Sequence, residues 1–173
     1  MKRVLSAVLM CYLNTAAMGA MGCGIPTSDH AIAYDTQGHQ SQIDLLDVTV
    51  EDPSIRRLDV YGTISVSSWK SLSRYPNLVE LSLEHVDRSS FACPENWVVF
   101  FEAIQKLPIE KLNLAHQLLC DSHLCFIPES VKYLDISHTN VLEKAAINYL
   151  KNSNAAVVHR IMGPSKNDFT VDK

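Results

Sequence analysis

The chain has 173 residues, 47% of them apolar and 20% charged, with a formal net charge of −4. That length and balance suit one domain with a single apolar core, and they exclude an intrinsically disordered chain. The acidic excess, with no basic stripe, argues against nucleic acid as a partner.

Lys2 and Arg3 make a short basic start, and residues 4–13 are apolar apart from Ser6. Ala16, Ala17, Gly19, Ala20 and Gly22 follow as a run rich in small residues. These are the three parts of a secretory signal peptide, expected over residues 1–22 with cleavage after Gly22. The apolar run is too short to span a bilayer, which needs roughly 20 residues. No other stretch is apolar enough, so no transmembrane segment is expected. The expected destination is secretion or the extracellular surface. Removing residues 1–22 takes away Lys2, Arg3 and no acid, which leaves 13 basic and 19 acidic side chains and a formal charge of −6. Cys23 then becomes the first mature residue, which offers a lipid-anchored alternative. Met21 is bulky for the small-residue motif that lipidation needs.

Residues 23–42 are polar and aperiodic and are expected to form a flexible lead. One pattern then occurs four times: Ile55-x-x-Leu58-x-Val60, Leu78-x-x-Leu81-x-Leu83, Ile109-x-x-Leu112-x-Leu114 and Val131-x-x-Leu134-x-Ile136. The starts lie 23, 31 and 22 residues apart, a period that points to stacked repeats, each beginning with a strand. Ile43-x-x-Leu46-x-Val48 matches too close to the first full repeat to form a coil of its own. It reads as a capping strand.

The segments between strands carry their own signals. Trp69, Leu72 and Tyr75 fall at helical spacing after a serine N-cap, and Pro76 stops the run. Pro94 suits a first helical position, Trp97, Phe100, Phe101, Ile104 and Leu107 share a face, and Pro108 closes the segment. The third return, residues 119–130, is expected to be extended. The fourth, residues 142–150, is expected to be a helix with Leu142, Ala146, Tyr149 and Leu150 facing inward. A last strand is expected over residues 155–161, and residues 162–173 form a polar C-terminal tail. Exported cysteines can oxidise. Among Cys23, Cys93, Cys120 and Cys125 the favoured disulfide is Cys120 with Cys125, which bracket a short loop; buried thiols are the alternative.

Residues 43–161 resemble leucine-rich repeat proteins. The likeness is strongest at Ile127-Pro128-Glu129-Ser130-Val131-Lys132-Tyr133-Leu134-Asp135-Ile136-Ser137-His138-Thr139-Asn140-Val141. The second repeat departs from the family pattern, with Val86 where a polar residue is usual and Arg88 where Leu is usual. The resemblance implies an α/β fold: a short leucine-rich repeat solenoid with a parallel sheet on its concave side, helices and irregular coils on its convex side, and capping strands. It also implies a protein ligand.

Strand alternation then assigns the outward side chains. One column holds Arg57, Glu80, Lys111 and Tyr133, and the next holds Asp59, Ser82, Asn113 and Asp135. With Tyr61 they form the expected ligand-binding face. The alternating charges of the first column suggest ion pairs between neighbouring strands. A third column, just past the strands, holds Gly62, His85, His116 and His138. Its three histidines suggest a pH-sensitive edge, or a metal-dependent enzyme as a more remote alternative. No Gly-x-Ser-x-Gly elbow, His-Glu-x-x-His or phosphate-cradling glycine loop is present. The expected function is therefore that of an exported binding module without enzymatic activity or cofactor. A surface lipoprotein adhesin anchored through Cys23 is the alternative.

Overall fold

A computed structural model of the chain describes residues 29–153, 155–159 and 169–171. The expected signal peptide, Cys23 and most of the tail lie outside the described residues. The fold is α/β. Among the described residues, eight strands form one sheet: β1 His30–Asp35, β2 Gln40–Asp44, β3 Ile55–Gly62, β4 Glu80–Val86, β5 Lys111–Asn113, β6 Tyr133–Asp135, β7 Ala156–His159 and β8 Phe169–Val171. Their order is β2-β1-β3-β4-β5-β6-β7-β8. The pairs from β3 to β7 are parallel, while β1 pairs antiparallel with β2 and β3, and β7 with β8.

Parallel neighbours need a crossover between them, and the return segments provide it. Helix α1 spans Val66–Ser71, where the Ser65 side chain accepts the Ser68 N–H as N-cap. Helix α2 spans Pro94–Ile104 and α3 spans Glu143–Asn152. Their apolar faces join the strands in one core, with Trp69, Phe100, Ile104, Leu58, Leu112 and Leu134 all fully buried. Trp97 stacks on Phe91 and on Phe101, with ring centroids 3.9 Å and 5.5 Å away. The helices and the core therefore lie on one side of the sheet, and the other side stays open.

The stacked leucines follow the expected register. Leu58 pairs with Leu81, Leu81 with Leu112, and Leu112 with Leu134. Each is at most 2% exposed.

Five expectations are corrected. The lead over residues 23–42 is not flexible where it is described, because β1 and most of β2 lie in it. Asp35 organises their turn: its Oδ1 accepts the N–H groups of Gln37 and His39, and Gly38 takes φ +82°. The capping strand ends at Asp44 and leaves Leu46 half exposed. The third return is not extended but contains a 3₁₀ segment, Asp121–Phe126. Leu142 precedes α3 and is 66% exposed, whereas Ala146 and Leu150 are buried. The sheet also reaches β8, inside the stretch read as a polar tail.

Leu112→Ala removes a fully buried side chain from the middle of the row. We expect a loss of about 2–5 kcal/mol, read as a lower midpoint in urea denaturation. Trp97 is 3% exposed, so in a Trp69→Phe background its fluorescence should resist acrylamide quenching. Efficient quenching in the folded protein would show that α2 does not cover the core.

Candidate functional site

The open face of the sheet collects the outward columns. Arg57 pairs across with Glu80, Glu80 with Lys111, and Lys111 with Tyr133. Asp59, Ser82, Asn113 and Asp135 align in the same way. All nine residues expected on the binding face lie on β3 to β6, and all are exposed or half-buried.

Their contacts differ from the expected alternation. Lys111 Nζ reaches Glu80 Oε1 at 2.5 Å between strands. Arg57 instead pairs within its own strand, its Nε and Nη2 donating to the two carboxylate oxygens of Asp59 at 3.0 Å and 2.8 Å. The inter-strand ladder is thus one pair rather than a run. The Asp59 hydrogen bonds hold the Arg57 guanidinium above its ordinary pKa, and its carbon lies 4.7 Å from the centre of the Tyr34 ring. Tyr34 belongs to β1, the strand misread as part of a flexible lead, so this end of the face was missed. The alternation of small and large residues from His30 to Tyr34, followed by Asp35 and Gly38, was the available signal.

Asn113 and Asp135 also have structural duties. Asn113 Oδ1 accepts the Ala115 N–H at 3.0 Å, and Asp135 Oδ1 accepts the Ser137 N–H at 2.9 Å. Such side-chain turns steer the backbone away from the strand. One residue further on, His116 and His138 have φ of +65° and +58°. Their rings stack, with centroids 4.6 Å apart. His85 does not join them. One extra residue in β4 sets His85 opposite Tyr61 and Val86 opposite Gly62. The histidine column is a pair, not a row of three.

Gln117, one residue past His116, is a buried polar side chain that sequence reading passed over. Its Nε2 donates to the carbonyls of Leu83 and Val86 at 2.7 Å and 2.9 Å. It ties the β5 turn to the end of β4.

Cys120 and Cys125 are not bridged. Cys125 lies within the 3₁₀ segment that Cys120 precedes, and each sulfur has another neighbour. Cys120 Sγ lies 3.1 Å from Ser122 Oγ and 3.4 Å from His123 Nδ1. Cys125 Sγ donates to the Ser122 carbonyl at 3.1 Å. A cleft of about 690 Å³ lies between this segment and α3, lined in part by Asp121, Cys125 and Tyr149. Asp121 Oδ1 accepts the Leu142 N–H at 2.8 Å and so fixes the entry to α3.

Among the described residues no helix is long and apolar enough to cross a membrane. The chain matches no family model, no curated protein and no solved structure in comparisons with known proteins.

Two substitutions separate support from decoration. Gln117→Ala leaves two buried carbonyls without their donor and should cost about 1–3 kcal/mol in urea denaturation. A double-mutant cycle on Glu80 and Lys111, both solvent-accessible, should give a coupling of only about 0–1 kcal/mol. A much larger coupling would make the pair a stabilising element of the sheet.

Proposed function

We propose that this chain is an exported protein–protein interaction module of the leucine-rich repeat type. It binds a protein ligand on the open face of its sheet, which the repeat reading places on the concave side. The observation that carries this reading is the set of outward residues held in register on four adjacent parallel strands. Arg57, Glu80, Lys111 and Tyr133 vary in charge and size while the leucines behind them do not. Tyr133 is 42% exposed, and open tyrosines and arginines are the residue types that most often dominate protein interfaces. Export rests on the signal-peptide character of residues 1–22.

The test places a photo-cross-linking residue at Ser82 on the open face, and separately at Lys144 on α3. Adducts formed in the secreted setting are identified by mass spectrometry. The ligand recovered is then titrated against Tyr133→Ala, Lys111→Glu and Lys144→Glu. Tyr133→Ala should weaken binding by more than about 2 kcal/mol if it anchors the interface. Lys111→Glu should change the association rate and its salt dependence, because exposed charges chiefly steer encounter. Cross-linking only from position 144, with binding weakened only by Lys144→Glu, would refute the sheet-face reading.

A further inference from the structure

We propose that the edge of β2 pairs with the β2 edge of a second copy of this chain, making a two-fold dimer with one continuous sheet. The inference is independent of the binding-face reading, because it uses main-chain groups at the rim of the sheet.

β2 is the outermost strand on its side, and Gln40, Ser41 and Gln42 are exposed. Two hydrogen bonds fix which way its main chain points. The Asp35 N–H donates to the His39 carbonyl, and the Leu45 N–H to the Asp29 carbonyl. Both extend the β1–β2 register, which runs from His30 opposite Asp44 to Tyr34 opposite Gln40. In an antiparallel pair, bonded and non-bonded positions alternate. Ser41, Ile43 and Leu45 therefore turn their main-chain groups towards β1. Gln40, Gln42 and Asp44 turn theirs outward. The Asp44 carbonyl is met by the Asp47 N–H, while the Asp44 N–H and both groups of Gln40 and Gln42 line the edge.

A bare edge is a template for another strand, and proteins blunt it with lysine, proline, bulges or very short strands. β2 carries none of these guards. It reads Gln40-Ser41-Gln42-Ile43-Asp44, with its charge only at the last position, and it pairs with β1 without a register shift. The opposite edge, β8, is only three residues long.

The second copy is the occupant because the edge is complementary to itself. A two-fold contact sets residue i against j and j against i. With the axis at Gln42, each Gln42 exchanges both main-chain bonds with its counterpart. On either side of the axis the Asp44 N–H reaches the Gln40 carbonyl of the second copy. The side chains match as well. The two Gln42 amides offer each other a donor and an acceptor, and the Gln40 amide can donate to the Asp44 carboxylate of the second copy. No like charges meet.

Gln40, Gln42 and Asp44 lie opposite Tyr34, Ile32 and His30, which lie opposite Arg57, Asp59 and Tyr61. Their side chains thus project on the open face of the sheet. The two-fold axis runs through the sheet, so both copies present their open faces on the same side. An edge of five residues is small beside the roughly 1,200–2,000 Å² of a stable interface. The dimer is therefore weak and depends on concentration.

Sedimentation of the reduced full-length chain from about 1 μM to about 1 mM should show monomer giving way to dimer. Nothing larger should form, since a two-fold contact consumes the edge it uses. Amide hydrogen exchange reads the edge directly. In dilute protein Gln42 and Asp44 should exchange fast, whereas Ser41 and Ile43, bonded to β1, are protected. In concentrated protein the Gln42 and Asp44 amides should slow several-fold. Gln42→Pro removes an N–H that β1 does not use, and edge strands tolerate proline there. That variant should remain monomeric at about 1 mM. Gln40→Asp sets a carboxylate against Asp44 on both sides of the axis and should weaken association roughly 2- to 30-fold at low salt. The proposal is overturned by an unaltered chain that stays monomeric at about 1 mM, or by a dimer whose Gln42 and Asp44 amides exchange as in the monomer. A folded Gln42→Pro variant that dimerises as tightly as the unaltered chain overturns it too. The unaltered chain and Gln40→Asp decide the matter even if Gln42→Pro fails to fold.

Discussion

The structure depends on one row of side chains. Leu58, Leu81, Leu112, Leu134 and Val157 are successive partners across five parallel strands, and none is more than 2% exposed. Side chains alternate faces along a strand, so a one-residue slip would carry a buried leucine to the open side and an outward charge into the core. Backbone bonds repeat with the row. Lys111 N–H donates to Val79 O, Tyr133 N–H to Glu110 O, and Ala156 N–H to Lys132 O. The outward columns inherit their alignment from this register. They need no interaction of their own to stay in line.

Leaving the strand is the second constraint, and it explains the histidines better than their ionisation does. Each strand must turn sharply before its return segment. Gly62 does so at φ +83°, and His116 and His138 do so at the same repeat position. A left-handed conformation costs a non-glycine residue roughly 1–2 kcal/mol, and histidine is among the residues found there more often than most. The side chains of Asn113 and Asp135 brace the two turns, and the two rings stack on one another. The Arg88 guanidinium adds a bond to the His116 carbonyl at 2.7 Å. The histidine pair is thus part of how two adjacent turns are held. His85 is left out because β4 stays extended one residue longer.

The repeated leucines made the parallel sheet legible, since a pattern of large apolar residues at fixed offsets leaves few alternatives. The aromatic helix was equally clear from Pro94, Trp97, Phe100, Phe101 and Ile104, although it ends at Ile104, before Leu107 and Pro108. What escaped was information that is not periodic. Strands β1 and β2 are short, and the side chains of β2 are mostly exposed. Polar composition there resembled a linker, although Asp35 and Gly38 carried the turn. The Arg57–Asp59 pair was hidden because an arginine with acidic neighbours along and across strands has no preference that composition reveals. The Cys120–Cys125 spacing suggested a bridge, but spacing does not register a 3₁₀ turn that separates the sulfurs. Gln117 was overlooked because only its depth, 1% exposed, shows that it replaces a missing donor.

The two sides of the sheet divide the chemistry between them. On the helical side the apolar helix faces are buried, while Ser65 and Asp121 bond the backbone at the starts of α1 and α3. On the open side, Arg57 is fixed by Asp59 and Tyr34, whereas Tyr133, three strands away, is exposed. A fixed arginine loses less freedom when a partner meets it than a mobile one does, and an aromatic ring has few torsions to lose. The expected binding face therefore has a charged end held in place and an exposed aromatic end. The ion pair of Glu80 with Lys111 lies between them. Its charges are too exposed to stabilise the fold by much. Their physical effect is chiefly the field they project into solvent, where an approaching partner meets it first.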